Sequence, residues 1–255
     1  MRIGICAKFA PDADDVMVGP DGTASLARAK WDVSLYDKQA VQAAAELGEA
    51  ADAEQVALTV GGSNIATTML AKMLMSRGNL SELYRVADDA AEMLDTLGVA
   101  RVLAELVKRA QVDVVICGEG SSDRYCRTTA AQMAEVLGWP CVTSVDKISF
   151  ADGTISCDRN LEDGIEEVEV QAPCVIAVTS TVNVPPIPPM KAVLSAGKEP
   201  VIDVQFADVA ASGGGIVRTS SSEPEEPGRK QIVFDGTPEE AAAKLVKALL
   251  SDNVI

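Results

Sequence analysis

Residues 112–140 place the strongest constraint on what this chain folds into. They begin with a short run of apolar, mostly β-branched residues at 112–117, which is typical of a strand buried on both faces. A turn rich in glycine and serine follows at 118–123, and residues 128–137 then show a helical pattern that ends in a Gly-Trp-Pro sequence. A buried strand joined by a tight turn to a helix is the repeating unit of a parallel α/β sheet.

The turn at 118–123 also has the properties of an anion site. Backbone N–H groups at the start of a helix have no partner inside the helix, and the helix dipole favours negative charge there. A phosphate is therefore the natural ligand of this turn. The alternative is a plain strand-to-helix connection, of which any parallel α/β sheet has several, and these residues alone favour neither interpretation.

The pattern of the first ~140 residues extends this unit along the chain. It predicts strands at 2–9, 55–60, 83–86 and 112–117, alternating with helices at 36–50, 65–77, 93–110 and 128–137. Such alternation indicates βαβ units and a Rossmann-like parallel sheet with helices on both faces. Ligands of such sheets bind at the carboxyl ends of the strands, where Asp12, Gly61-Gly62 and the turn at 118–123 all fall.

The periodicity changes after Pro140. A hairpin with a type I′ turn is predicted at 145–158, a second strand-turn-strand at 161–170, and a buried strand at 173–179. The four prolines within 182–190 exclude helix and ladder strand, so a stiff, exposed, extended loop is expected there.

The chain therefore divides into an α/β domain over residues 1–206, a linker and a C-terminal arm. The domain includes an antiparallel hairpin region at 145–180 and the proline-rich segment at 182–198. The linker at 207–231 is rich in Gly, Ser and Glu and is expected to be flexible. The arm at 232–255 carries a helix that is capped by Thr237.

Composition excludes several classes of function. The formal net charge of −16 disfavours nucleic acid and anionic membrane surfaces as partners, and no apolar run is long enough to span a membrane. The chain has six cysteines without a C-x-x-C motif, which fits a reducing cytoplasm rather than a zinc site or a disulfide framework. It has no histidine, which removes Ser–His and Cys–His nucleophilic catalysis.

Several motifs occur together in one order along the chain. They are GEGSSDRY at 118–125, KFAPD at 8–12, YD with Ala at 36–40, the strand end and glycines at 58–62, DT at 95–96, RNLEDG at 159–164 and IPPMKAVLSA at 187–196. In this order they resemble the β subunit family of electron transfer flavoproteins. The segment at 118–128, named the phosphate turn below, is similar to that of the FixA-type branch. The resemblance covers nearly the whole chain.

The resemblance implies an α/β fold of the adenine nucleotide alpha hydrolase-like type. It also implies a heterodimer with an α subunit that holds most of the redox FAD, while the β subunit binds AMP or a second FAD. The complex would carry electrons between an acyl-CoA-type dehydrogenase or reductase and a quinone- or ferredoxin-linked partner. This chain would then be an electron carrier subunit in the cytoplasm, with no catalytic residue and no metal site of its own.

Functional residues also follow from the resemblance. The cofactor-binding residues implied in this way are Ala7, Lys8, Asp12, Tyr36, Asp37, Gly61, Gly62, Asp95, Thr96, Cys117, Gly118, Asp123, Arg124, Tyr125, Cys126, Arg127 and Thr128. The segment at 182–198 would be the partner-recognition loop, with Met190 at its tip as an apolar anchor and Lys191 beside it.

The phosphate turn departs from the family pattern. The family's Thr and Gln, which help to hold phosphate, are Cys126 and Thr128 here. Arg124 and Arg127 would supply charge to a phosphate instead, or they are solvated arginines and the site is weak or empty. The acids Asp12, Asp95 and Asp123 likewise either shape the pocket or serve only as helix caps and turn residues.

Two other classes of function remain open at this point. A stand-alone nucleotide-hydrolysing or adenylating enzyme of the same fold would need a phosphate loop with a catalytic Lys or an S-G-G-x-D-S-type turn, and the sequence has neither. A nucleotide-sensing scaffold without redox activity would form a stable homo-oligomer and would need no second subunit.

Overall fold

The first strand of the chain lies inside the main sheet, with other strands on both sides of it. In the computed structural model, which describes residues 1–209, 215–217, 219, 228 and 230–255, the chain forms two units, Met1–Ser221 and Ser222–Ile255. The strands of the described part are Arg2–Cys6 (β1), Phe9–Pro11 (β2), Met17–Val18 (β3), Ala24–Ser25 (β4), Trp31–Val33 (β5), Glu54–Gly61 (β6), Leu80–Ala87 (β7), Val114–Gly118 (β8), Cys141–Ala151 (β9), Thr154–Leu161 (β10), Gly164–Val170 (β11), Cys174–Val178 (β12) and Val201–Asp203 (β13).

Helices connect these strands. The described α-helices are Leu35–Ala51 (α1), Thr68–Met75 (α2), Asp89–Glu92 (α3), Thr96–Arg109 (α4), Thr129–Leu137 (α5), Met190–Ser195 (α6) and Pro238–Ser251 (α7). No helix among the described residues is long and apolar enough to cross a membrane.

Nine strands form one sheet in the order β11-β10-β9-β12-β8-β1-β6-β7-β13. All neighbouring pairs from β9 to β13 in this order are parallel, and β9, β10 and β11 pair antiparallel. The predicted α/β fold with an antiparallel extension is therefore confirmed.

Helices cover both faces of the sheet and create two cores. On one face α1 and α2 pack through residues such as Val41 and Leu74, which are fully buried. On the other face α4 and α5 pack through residues such as Leu106 and Met133, also fully buried. A central strand such as β8 must be apolar on both sides, which explains its continuous apolar run.

Two helices begin three residues later than predicted, because capping side chains determine where each helix starts. The helix predicted at 65–77 begins only at Thr68, since the Thr67 hydroxyl accepts a hydrogen bond from the Leu70 amide at 3.2 Å. The helix predicted at 93–110 begins at Thr96, since Asp95 accepts from the Gly98 amide at 2.8 Å. A capping Thr or Asp therefore determines the first residue of these helices, even where the apolar pattern begins before the cap.

The region after Pro140 is confirmed in part. Asp152 and Gly153 have φ values of 51° and 81°, as a type I′ turn requires. The two predicted strand pairs share β10, which pairs with β9 on one side and β11 on the other, so the region is a three-stranded meander. The proline-rich segment has no regular structure up to Pro189, but Met190 begins the short helix α6 and does not form a loop tip.

The linker predicted at 207–231 falls largely outside the described residues. In the second unit, Thr237 caps α7, and its capping box with Glu240 has Pro238 at the first helical position. This start of the helix was predicted correctly from the sequence.

The carboxyl end of β8 meets the start of α1 at Gly118. A Cβ atom at Gly118 would lie 2.8 Å from the Asp37 Oδ1 atom and 2.9 Å from the backbone carbon of Tyr36. We expect Gly118→Ala to lower the free energy of unfolding by about 1–3 kcal/mol, because backbone at this distance cannot move away cheaply. Urea denaturation measures this effect. Gly228→Ala is the control, because none of the described residues has an atom within 4 Å of its added Cβ, and equal stability of the two variants would contradict the prediction.

Candidate functional site: a cavity at the carboxyl ends of the central strands

The order of strands reverses direction between β1 and β8. The chain continues from β1 to β6 and β7 on one side of β1, whereas β8 and β12 lie on the other side. The crevice outside the carboxyl ends of parallel strands at such a switch point is where ligands of open α/β sheets bind. A cavity lies there, lined by residues that follow β1, β6 and β8 and by the first turns of α4 and α5.

Most of the predicted site residues meet in this cavity. Those that line it are Ala7, Lys8, Asp37, Gly61, Asp95, Thr96, Cys117, Gly118, Arg124, Cys126, Arg127 and Thr128. Those that do not line it are Asp12, Tyr36, Gly62, Asp123 and Tyr125. Asp12 accepts a hydrogen bond from the Asp14 amide at 3.1 Å and caps a 3₁₀ turn, the alternative that its sequence context left open.

Asp37 connects the parts of the cavity. Its carboxylate accepts hydrogen bonds from the Lys8 amide at 2.8 Å and from the Gly118 amide at 3.3 Å. Lys8 lies just after β1, Gly118 is the last residue of the neighbouring strand β8, and Asp37 itself lies in the first turn of α1. The side chain is buried, and burial raises its pKa to about 7, against the opposing effect of the hydrogen bonds and of the Lys8 charge.

A second acid links the same elements at the rim. The Lys8 ammonium forms an ion pair with Asp123 at 2.5 Å. Burial would raise the pKa of Asp123, but the Lys8 ammonium and the Ser121 hydroxyl bind its carboxylate and hold the pKa below its ordinary value. The Ser122 amide donates to the Ser34 hydroxyl at 3.3 Å, so the phosphate turn is attached to the start of α1 at a second point.

The two arginines of the turn both pair with carboxylates. Arg124 Nη2 lies 3.2 Å from Glu92 Oε1, and Arg127 Nη2 lies 3.1 Å from Glu119 Oε2. Neither of the two roles considered from the sequence, phosphate ligand or solvated side chain, includes these ion pairs. Glu92 and Glu119 both line the cavity, so the charge of the arginines is already balanced there.

Tyr125 contacts three residues in and around the phosphate turn. Its hydroxyl donates to Glu119 Oε1 at 2.9 Å, and its ring lies 5.0 Å from the ring of Tyr36 and 5.6 Å from the Arg127 guanidinium. Tyr125 and Arg127 have φ values of 41° and 56°, a left-handed conformation that costs a non-glycine residue of the order of 1–3 kcal/mol. These contacts hold the turn in its strained shape.

One wall of the cavity is apolar and was not predicted as part of the site. It consists of Val60, Leu94, Val99, Leu103 and Met133. Leu94 and Leu103 share one face of the helix predicted at 93–110, but a helical period does not distinguish a face that packs on a sheet from a face that lines a cavity. Glu92 and Glu119 were also missed; the position of Glu119 directly after a buried strand was the available signal.

The floor consists of two buried thiols. Cys6 and Cys117 lie beside each other in the register of the neighbouring strands β1 and β8, and both are free thiols. The Cys6 sulfur lies 4.0 Å from the Met133 sulfur. Burial raises the pKa of both thiols above the ordinary value, so they remain protonated at neutral pH and act as apolar groups.

Backbone donors also line the cavity. Thr128, Thr129 and Ala130 at the start of α5 line the cavity, and no described side chain caps this helix. Its first N–H groups are therefore available to an anion. A cavity that combines an apolar wall, a helix N-terminus and a lysine suits a flat ring joined to a phosphate.

The comparison with known families agrees with this geometry. The family model described as the electron transfer flavoprotein domain matches residues 23–209. This chain belongs to the electron transfer flavoprotein domain family. The match includes α1, the phosphate turn and both helices of the cavity, whereas β1 lies before it and completes the same sheet.

Family members are flavoproteins that carry electrons, and an adenine nucleotide fits the donor set of this cavity. Lys8, although it is paired with Asp123, and the N–H groups at the start of α5 would be the donors for a phosphate, and the wall at Leu94, Val99 and Leu103 would be an apolar surface for adenine. The carboxylates of Glu92 and Glu119 do not contribute to such binding, because they repel a phosphate.

The pKa of Asp37 leads to a prediction about stability. The unfolded carboxyl releases its proton near the ordinary value of 3.8, whereas the folded one retains it up to about pH 7. The folded state therefore binds more protons over this range, and the stability that Asp37 contributes falls as the pH rises. The free energy of unfolding of the wild type, relative to Asp37→Asn, should decrease by on the order of 4 kcal/mol between pH 4 and pH 8.

Chemical denaturation at a series of pH values tests this. Glu49→Gln, an equal change of charge at an exposed position on α1, is the control and should follow the wild type. A constant difference between wild type and Asp37→Asn over the whole range would mean that Asp37 is ionised throughout.

Proposed function

We propose that this chain is the β-type subunit of an electron transfer flavoprotein of the FixA-type branch. It pairs with an α subunit that holds most of the redox FAD, and the heterodimer carries electrons between an acyl-CoA-type dehydrogenase or reductase and a quinone- or ferredoxin-linked partner. The observation that carries this proposal is the cavity at the switch point of a sheet that matches the electron transfer flavoprotein domain.

The cavity would hold AMP or the adenylate part of a second FAD. The phosphate would meet Lys8 and the free N–H groups of α5, and the adenine would pack against the apolar wall formed by Val99 and Leu103. Asp37 does not contact the nucleotide in this proposal; it holds the ends of β1 and β8 at the distance that shapes the cavity.

The flavin would supply the redox chemistry, since it accepts and releases electrons. The residues of this chain would bind and orient it and exclude water from it, and we propose that none of them is catalytic. The described thiols are all free, which supports a reducing compartment such as the cytoplasm.

Co-expression with an α subunit tests the proposal. We expect the chain expressed alone to hold little flavin and to oxidise no substrate, because most of the FAD contacts would come from the partner. The complex should show flavin absorbance, and mass spectrometry of the released ligands should find FAD and an adenine nucleotide. Stoichiometric FAD and dehydrogenase activity in the single chain would contradict the proposal, as would a stable homo-oligomer that binds no second subunit.

The segment at 182–198 has the properties of a docking arm. Val184 and Ile187 are each 92% exposed, and Met190 and Leu194 on α6 are 74% and 70% exposed. The prolines keep the backbone extended, so little conformational entropy is lost on docking. The nearby cations Lys191 and Lys198 would meet acidic groups on the dehydrogenase.

Met190→Ala should weaken binding to the dehydrogenase and leave folding and flavin content unchanged. Burial of one Met side chain is worth roughly 1.5–3 kcal/mol, which corresponds to about one to two decades in affinity. Electron transfer rates at increasing dehydrogenase concentration measure the change. Met17→Ala, at another exposed methionine, is the control. A Met190→Ala variant that melts early but transfers electrons normally would show that Met190 stabilises its own domain instead.

A further inference from the structure

Glu119 is a carboxylate of the cavity wall that lies at the start of the phosphate turn. It is the residue directly after β8, and its side chain is only 12% exposed. Both of its oxygens have partners: Oε1 accepts from the Tyr125 hydroxyl at 2.9 Å, and Oε2 pairs with Arg127 Nη2 at 3.1 Å. Its orientation is therefore determined by the turn itself.

The cations of the cavity are already neutralised within the chain. Three cations line it in the described residues, and they pair as Lys8 with Asp123, Arg124 with Glu92 and Arg127 with Glu119. Among the acidic partners Glu119 is the least exposed, at 12% compared with 19% for Asp123 and 45% for Glu92. Arg127 itself is 52% exposed, so its guanidinium has room to move, whereas the Glu119 carboxylate that binds it is largely withdrawn from solvent.

The same pair separates two cavities. Glu119, Arg127 and Ala130 line the nucleotide cavity and also a second one, which Thr143, Ser144 and Ala177 complete. Arg127 therefore stands where it could turn toward a phosphate at the start of α5, but its guanidinium is engaged by a carboxylate that faces the same space.

We propose that Glu119 competes with the phosphate of a bound adenine nucleotide for Arg127 and so sets the charge preference of this site. The inference rests on the proposed function, because it assumes that the cavity takes an adenine nucleotide. A phosphate that recruits Arg127 leaves the Glu119 carboxylate partly buried without its cation, and this penalty reduces the gain from the new contact. The site thus binds mainly through the nucleoside part, and it prefers AMP to adenosine only weakly.

Glu119→Gln tests this, because it removes the charge, keeps the shape and preserves an acceptor for Tyr125. We expect AMP to bind about tenfold more tightly and adenosine to change less than about twofold. Calorimetry with AMP and adenosine, on the nucleotide-free full-length chain and on its complex with the α subunit, measures both. The AMP affinity of the variant should also depend more steeply on salt, since Arg127 becomes available to the phosphate.

Two controls separate competition from a general effect of charge. Glu135→Gln makes the same change of charge at an exposed position on α5 and should leave AMP affinity as in the wild type. In the double variant Glu119→Gln/Arg127→Gln the tightening should disappear, because the guanidinium is gone. Glu119→Asp, which withdraws the carboxylate from Arg127, should tighten AMP binding less than Glu119→Gln and provides the test if the Gln variant does not fold.

The outcomes are distinct. Unchanged or weaker AMP binding in Glu119→Gln, while AMP and adenosine still bind the wild type, overturns this inference alone and leaves the nucleotide site in place. Equal tightening in Glu135→Gln, or tightening that persists in the double variant, also overturns it. If neither AMP nor adenosine binds any form of the chain, this inference and the proposed nucleotide site both fail.

Discussion

The buried carboxyl of Asp37 is the interaction on which the site depends. It joins the amides of Lys8 and Gly118, which lie at the carboxyl ends of neighbouring strands at the switch point of the sheet, to the first turn of α1. A buried polar group is tolerated only when it is hydrogen-bonded, and here the two amides supply those bonds. Because Gly118 has no side chain, the strand end approaches α1 closely enough for this contact, and the position of the phosphate turn follows from it.

The turn between β8 and α5 has both of its ends fixed. Gly118 is held by Asp37, and the other end continues into α5, which is packed through Met133. The residues between them close the gap with two left-handed conformations, at Tyr125 and Arg127. Such strain persists only where surrounding contacts determine it, and the contacts of Glu119 with both side chains meet this requirement. The local cost of the turn is thus connected to the Glu119–Arg127 ion pair in the wall of the cavity.

Those parts of the structure that depend on local sequence were predictable. The apolar periods give the alternation of strands and helices, and the Asp-Gly pair at 152–153 and the cap at Thr237 act within a few residues. The ion pair of Arg124 with Glu92 is different, because it joins residues 32 positions apart that only the fold brings together. The apolar wall could not be predicted from the sequence for another reason. A leucine that lines a cavity and a leucine that packs on a sheet follow the same helical period.

The proposed docking arm and the charge of the chain have separate roles in an electron carrier. A carrier must leave each partner quickly, and transient redox complexes have small interfaces of under about 1,200 Å². In the proposed function, a short helix and a few exposed apolar residues within 182–198 would provide a contact of this limited kind. The formal net charge of −16 acts at longer range, where it repels acidic surfaces and attracts basic ones, and thereby changes the rate of encounter more than the strength of binding. Lys191, inside the proposed arm, is opposite in sign to the net charge, so the arm would approach an acidic pocket that the remainder of the surface would repel.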